Sequence, residues 1–369
     1  MNIFEKDLRI EYMKHSQGIK DSGIFMKRKA ALFSGMLLLY SAGAYSQCAC
    51  CSSVGCGDNS GGGSSLVMKG KVLFNAVGRY TTFNSLSQQA LVNDAKADTS
   101  FAVYNKSYQL TYNFSVTYGI SDRLNATVTL PYSSISNIQT ASPVQSQTDA
   151  LGNSSGISNI KTSLQFVLLQ KQYFNGWEVV PSVGLIAPTG VHNNMAKDGT
   201  FFDDQFQPGA NAWIPVLGIT TNKKIGKVTM RGMGTYVFKD TDPKGNVDAA
   251  LWNTDVSAYF PLTKSGNKKS CDTSKESCCM APPLGFILSG FAGVQAEHVG
   301  QDIVALDNGS KVANPNIGAF RTYASLGVVA NIGHKFFIPV SIAVPFYQNE
   351  NGYQVSVNYR LNIGLSLLL

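Results

Sequence analysis

The C-terminal stretch "YQVSVNYRLNIGLSLLL", Tyr353 to Leu369, alternates along almost its whole length. Val355, Val357, Tyr359, Leu361, Ile363, Leu365, Leu367 and Leu369 occupy the odd positions. Gln354, Ser356, Asn358, Arg360, Asn362 and Ser366 oppose them. A period of two puts the two sets on opposite faces of a β-strand. A strand this long exceeds the roughly 5–6 residues usual in globular sheets. It matches the roughly 9–11 residues with which a tilted strand crosses hydrocarbon. In a soluble sandwich the apolar face would pack on a second sheet, and shorter strands would be expected. Lipid is the better partner for this stripe.

The same pattern recurs upstream. "SYQLTYNFSVTYG" sets Tyr108, Leu110, Tyr112, Phe114, Val116 and Tyr118 against Gln109, Thr111, Asn113, Ser115 and Thr117. After a turn, Leu124, Ala126, Val128 and Leu130 alternate with Asn125, Thr127 and Thr129, which makes a long hairpin. Similar segments span 71–83, 158–169, 176–188, 212–221, 227–238, 251–262, 284–297, 320–332 and 336–346. With the hairpin and the C-terminal stretch they make about 12 strands and leave no convincing amphipathic helix. Backbone groups inside a bilayer must all be paired, so such strands have to close on themselves. The sequence therefore predicts an all-β protein, a transmembrane antiparallel up-and-down β-barrel of about 12 strands over residues 66–369.

Composition agrees. Charged residues make up 14% of the 369-residue chain, against roughly 25% in ordinary soluble domains. Seven Lys/Arg and four Asp/Glu in residues 1–46 contribute +3 of the net +7. No basic run with interleaved aromatics is present, which argues against nucleic acid as a partner.

The N-terminus reads as an export signal over residues 26–46. Met26-Lys27-Arg28-Lys29 forms a basic start and Ala30 to Tyr40 an apolar core too short to span a membrane. Ala44-Tyr45-Ser46 is a small-x-small cleavage site. Residues 1–25 are polar and read as an upstream-start artefact, and residues 47–65 as a Cys- and Gly-rich periplasmic linker. If the barrel starts in the periplasm, the outward connections are 84–106, 134–157, 189–211, 239–250, 298–319 and 347–352, mostly long. The inward ones, "GISDR", "QKQYFN", "NKKIG" and "GHK", are tight, the asymmetry usual in bacterial barrels. The exception is 263–283. These features place the chain in a bacterial outer membrane.

Four stretches together resemble a known family: "YGISDRLNATVTLPY" (118–132), "GLIAPTG" (184–190), "QPGANAW" (207–213) and "VPFYQNENGYQVSVNYR" (344–360). Their order and spacing resemble the outer-membrane proteins catalogued as putative transporters of the meta-pathway of phenol degradation. The Cys-rich prefix is similar to versions from Bacteroidetes-like bacteria. The resemblance implies a barrel that transports small solutes, apolar or aromatic ones among them. Two positions depart from the family pattern. Asn159 stands where a Gly-rich turn usually ends in Asp, and Leu369 stands where barrels commonly end on an aromatic residue.

Candidate pore-lining residues on the polar faces are Lys71, Asn75, Arg79, Gln109, Asn113, Lys161, Gln165, Glu178, Arg231, Asp255, Arg321 and Arg360. Some lumen is expected, because about 12 strands enclose more than the 8 that side chains just fill. Two readings are open: the charged groups tune solute passage, or they pair and support the wall.

The cysteines form two clusters, Cys48, Cys50, Cys51 and Cys56 in the tail and Cys271, Cys278 and Cys279 in the long inward connection. Both would face the periplasm. Soft thiolates so close suit copper, zinc or iron, whereas an oxidising compartment favours disulfides between the clusters. A barrel-anchored protein that binds metal or docks a periplasmic partner is thus the alternative to a channel. Catalysis is not expected. His192 and His298 lie in outward connections, His334 in a tight turn, and no nucleophile is placed beside them. "DTDPKGNVD" (240–248) is a loose match to a Ca²⁺ loop without the full ligand spacing.

Overall fold

In the computed structural model the described residues are 67–98, 101–141, 148–169, 176–239, 241, 246–247, 249–263, 286–305, 310–332 and 335–369. The strands are β1 (Val72–Phe83), β2 (Val103–Asn105), β3 (Tyr108–Ser121), β4 (Leu124–Ala141), β5 (Thr148–Ile157), β6 (Lys161–Phe166), β7 (Trp177–Ile186) and β8 (Ile214–Ile225). They continue as β9 (Val228–Val237), β10 (Leu251–Pro261), β11 (Phe286–Val299), β12 (Ile303–Ala305), β13 (Lys311–Ala313), β14 (Ala319–Ile332), β15 (Phe336–Glu350) and β16 (Val357–Leu368). An α-helix, α1, covers Gln88–Ala97.

Twelve of the strands pair in a ring, β1-β3-β4-β6-β7-β8-β9-β10-β11-β14-β15-β16, and β16 pairs back onto β1. The seam between first and last runs antiparallel from Leu73 opposite Leu368 to Thr82 opposite Tyr359. Closure leaves the ring without a free edge, as hydrocarbon requires. β2 and β5 extend β4 beyond the ring, and β12 and β13 form a separate hairpin.

The two faces of the wall are inverted relative to a soluble sheet. Tyr112, Phe114, Val116 and Tyr118 on β3 are exposed, while Thr111, Asn113 and Thr117 between them are buried. On β16 the exposed residues are Leu361, Ile363 and Leu365, and the buried ones include Arg360 and Ser366. At the long-loop end an outer chain of rings links Trp252, His298 and Phe320, with Trp252 5.9 Å from each of the other two. At the tight-turn end Trp177 lies under Lys223, 4.8 Å from its ammonium. Aromatic rings at both rims of an apolar band mark the interfaces of a bilayer-spanning barrel.

The alternation slips at one place. Asn358 is an extra residue against β1, between Tyr359 opposite Thr82 and Val357 opposite Phe83. This bulge reverses the faces upstream, so Val355 and Val357 are buried and do not join the lipid stripe.

The outward connections hold more structure than the sequence reading expected. α1 lies within 84–106, capped by Ser87 Oγ, which accepts from Ala90 N at 3.2 Å. Its Leu91, Val92 and Ala95 pack on Val103 and Ala141. The helix escaped detection because its apolar face is only three residues wide and covers strand ends outside the ring. β4 runs on to Ala141 and pairs with β5, so 134–157 extends a hairpin. Within 298–319 lie β12 and β13.

Between β7 and β8 the chain folds back on Asn159. This buried amide accepts from Gly190 N (2.8 Å) and donates to Ala210 O (2.9 Å). It thereby binds the "GLIAPTG" and "QPGANAW" stretches together. A Cβ at Gly190 would stand 2.7 Å from Asn159 Oδ1, and one at Gly209 2.6 Å from Gly190 Cα. Gln207 extends the network by accepting from Asn194 N (3.0 Å) and donating to Phe202 O (2.8 Å). Phe202 and Phe206 then pack on Ile135 and Ile138 of β4.

Two outcomes test these assignments by denaturant unfolding of the protein folded into lipid vesicles. Leu326 is exposed near the middle of β14, so Leu326→Arg should cost about 2–4 kcal/mol. Asn159→Ala strands a buried N–H and a buried C=O and should cost about 2–5 kcal/mol.

Candidate solute chambers in the lumen

Residues of β1, β11, β14, β15 and β16 converge on one charged cluster at the long-loop end. Glu297 is its centre. It accepts from Arg321 Nη1 at 3.0 Å and from Arg360 Nη1 and Nη2 at 3.0 and 3.1 Å. Arg321 also makes a two-pronged bond to Glu350, with Nε–Oε1 at 2.7 Å and Nη2–Oε2 at 2.5 Å. Glu297 and Arg321 are direct neighbours across the β11–β14 ladder. Arg360 reaches them from β16, stacked 4.3 Å over the fully buried Tyr323 ring. Its Nε and the Tyr323 hydroxyl are buried and bond to no protein atom. Beside the cluster, Arg79 Nε donates to Asn362 Oδ1 at 3.0 Å.

Lys106, between β2 and β3, approaches the cluster from the connection side. Its ammonium lies 4.6 Å from the Phe83 ring centroid and 5.9 Å from that of Phe206. Burial, and then the Arg321 charge, hold its pKa down to about 8. Tyr104 caps the same space, donating to Asp203 Oδ2 at 2.6 Å and meeting Phe206 edge-on. Burial and the Asp203 carboxylate raise the Tyr104 hydroxyl's pKa well above its ordinary value.

These groups line a partly open chamber of about 70 Å³, with Arg79, Lys106, Gln109, Arg321 and Arg360 on one side and Phe83, Tyr104 and Phe206 on another. A single water needs about 10–15 Å³, so the space holds a few waters or one small molecule. A second chamber, about 110 Å³, lies against β3, β4 and β6–β9 and is lined by Ser115, Thr127, Lys161, Ser163, Gln165 and Arg231 among others.

Of the sequence-predicted residues, Arg79, Gln109, Arg321 and Arg360 thus meet at the first chamber, and Lys161, Gln165 and Arg231 at the second. Asn75, Asn113 and Glu178 are buried on inward faces without lining either. Asp255 accepts from Ser257 Oγ. Lys71 stands ahead of β1, exposed at the tight-turn end.

Glu297, Glu350, Lys106 and Tyr323 were missed. Glu297 was legible, because Val294 faces outward and residue 297 therefore falls on the inner face. Lys106 was not, because the break between β2 and β3 interrupts the alternation. His298 is corrected from loop to strand: it is the last residue but one of β11, in the outer aromatic chain. His192 sits in the β7–β8 connection, its Nδ1 3.2 Å from Gly190 O.

At the tight-turn end the chain before β1 is held by Asn125. With its amide turned to suit, Asn125 accepts from Val67 N (2.8 Å) and donates to Val67 O (3.0 Å). Gly70 N donates to Gly119 O at 2.8 Å beside it. The seven cysteines Cys48, Cys50, Cys51, Cys56, Cys271, Cys278 and Cys279 lie outside the described residues, as do residues 1–66, His334 and most of 240–248. Among the described residues no cluster of His, Cys, Asp and Glu is arranged to hold a metal.

No family model and no curated protein matches the chain, so the phenol-pathway resemblance rests on its motifs alone. Solved structures do match. An outer-membrane channel from Pseudomonas putida F1 is 16% identical with a TM-score of 0.52, over 82% of this chain and 97% of that one. The β domain of the Bordetella autotransporter BrkA is 12% identical with a TM-score of 0.41, over 82% of this chain and 100% of that one. A TodX monoaromatic hydrocarbon channel mutant is 7% identical with a TM-score of 0.39, over 82% and 91%. The first of these establishes that the chain has an outer-membrane barrel fold.

Proposed function

We propose that the chain is an outer-membrane channel for small solutes. The observation that carries this reading is the pair of chambers set into a polar, charged interior behind an apolar outer face. The Pseudomonas putida neighbour, described as an outer-membrane channel, supports it. Family resemblance suggests apolar or aromatic cargo. The linings of Thr, Ser, Gln, Lys and Arg suit polar or ionic solutes better, because an apolar guest would strip water from charged groups without replacing its hydrogen bonds. Four cations, Arg79, Lys106, Arg321 and Arg360, line the first chamber beside one lining carboxylate, Glu297, and this surface favours anions.

Planar-bilayer recording tests this with the refolded protein in potassium chloride. The expected result is a current preferring chloride at pH 7. Lys106 titrates near 8, below the ordinary lysine value. Raising the pH through that window removes its positive charge, so chloride preference should fall between pH 7 and 9.5. Lys106→Met should flatten that response. The same sign applies to stability: the charged form is penalised in the fold, so the barrel gains stability as pH rises above about 8. A barrel that inserts and passes no current sinks the channel reading.

One observation favours the alternative, a periplasmic metal or partner site. The chain enters β1 and leaves β10 for β11 at the same, tight-turn end, so both cysteine-bearing segments attach there. Metal analysis of purified protein, with and without Cys271, Cys278 and Cys279, is the test. Stoichiometric copper, zinc or iron that disappears with the substitutions would support this alternative.

A further inference from the structure

The second chamber is rich in hydroxyl groups. Thr127, Thr129, Ser163, Ser182, Thr220 and Thr235 are among its lining residues. The register sets them in steps along the wall: Thr127 opposite Ser163, Gln165 opposite Ser182, and Gly218 opposite Thr235. A Cβ at Gly218 would run into Ser182 Oγ, so glycine at that position leaves the hydroxyl clear. A hydroxyl has one donor and two acceptor lone pairs. Even Thr127, bonded to Thr117 at 2.9 Å, therefore keeps capacity to spare. Gln165 Oε1 is buried and accepts from no protein donor. Val180, Val216 and Met233 add an apolar strip to the same lining.

Charge plays a lesser part here. Lys161 opens β6 at the long-loop end, Arg231 lies near the start of β9 at the tight-turn end, and hydroxyls stand between them. Arg231 is hydrogen-bonded to Tyr259 and faces the Asp255 carboxylate. Lys161 is likewise engaged.

We propose that this chamber binds a small neutral polyol, its hydroxyls on the Ser/Thr steps and Gln165 and its C–H groups on the apolar strip. An apolar guest would displace water from the lining hydroxyls and return no hydrogen bonds. An anion would have to compete with Tyr259 and Asp255 for Arg231. The volume of about 110 Å³ is several times the roughly 10–15 Å³ that one water needs, which is room for a molecule of about three to six carbons. Entry through the lumen rests on the channel reading, but binding does not.

Saturation-transfer NMR on the refolded full-length barrel, in a detergent without a sugar headgroup, separates the two. Xylitol, 1,5-pentanediol and xylonate share a five-carbon chain and differ in hydroxyls and charge. Xylitol should bind saturably and xylonate no more tightly. The pentanediol, short of three hydroxyls, should bind at least about tenfold more weakly. Gln165→Met and Thr235→Val keep the side-chain shape and remove polar atoms. Each should weaken xylitol binding about threefold to tenfold, the scale of one neutral hydrogen bond. Unheated electrophoretic mobility verifies that each variant is a folded barrel. Pentanediol binding as tightly as xylitol, xylonate binding more tightly, or undiminished xylitol binding by either folded variant overturns the proposal. Xylitol binding in a barrel that passes no current would uphold the chamber and defeat the channel. Current without xylitol binding would do the reverse.

Discussion

Every peptide group in the hydrocarbon layer needs a hydrogen-bond partner, and this one requirement organises the molecule. It forces β16 back onto β1, and it sets strand length by membrane thickness. It also frees the outer face to be uniformly apolar, because nothing outside the wall has to be recognised. Polar side chains are then confined to the inner face, where Glu297, Arg321 and Arg360 gather into a bonded cluster. Burying an ion pair is seldom a net stabiliser. Its presence in the lumen is more economically understood as fixing the geometry of the groups around it.

The ring was almost fully legible from the chain. Alternation in stretches such as Tyr108–Tyr118 and Leu361–Leu369 states the membrane-crossing segments directly, because each face meets a single environment. What escaped lay where that condition fails. Above the ring, side chains meet other connections instead of lipid or lumen. There α1, the β4–β5 extension and the β12–β13 hairpin follow local packing with no long period. The bulge at Asn358 is of the same kind: one inserted residue reverses two valines without changing composition.

The candidate site was legible by half. Arg321 and Arg360 were placed by parity, and so was Arg79. Their bonding to Glu297 depends on which strands neighbour each other round the ring, and sequence separation does not reveal that. Glu297 and Arg360 are 63 residues apart and share two hydrogen bonds. Lys106, the group on which the selectivity argument turns, sits at a break between two strands.

Gly190 and Gly209 touch through their backbones, with Asn159 clamped over both. A clasp of this kind leaves no slack for a hinge, so the β7–β8 crossing behaves as masonry of the doorway and the ring of Phe206 keeps a constant station. Diversifying what the barrel admits would then fall to substitutions at the chamber surface itself, since no swinging flap is available there to be retuned.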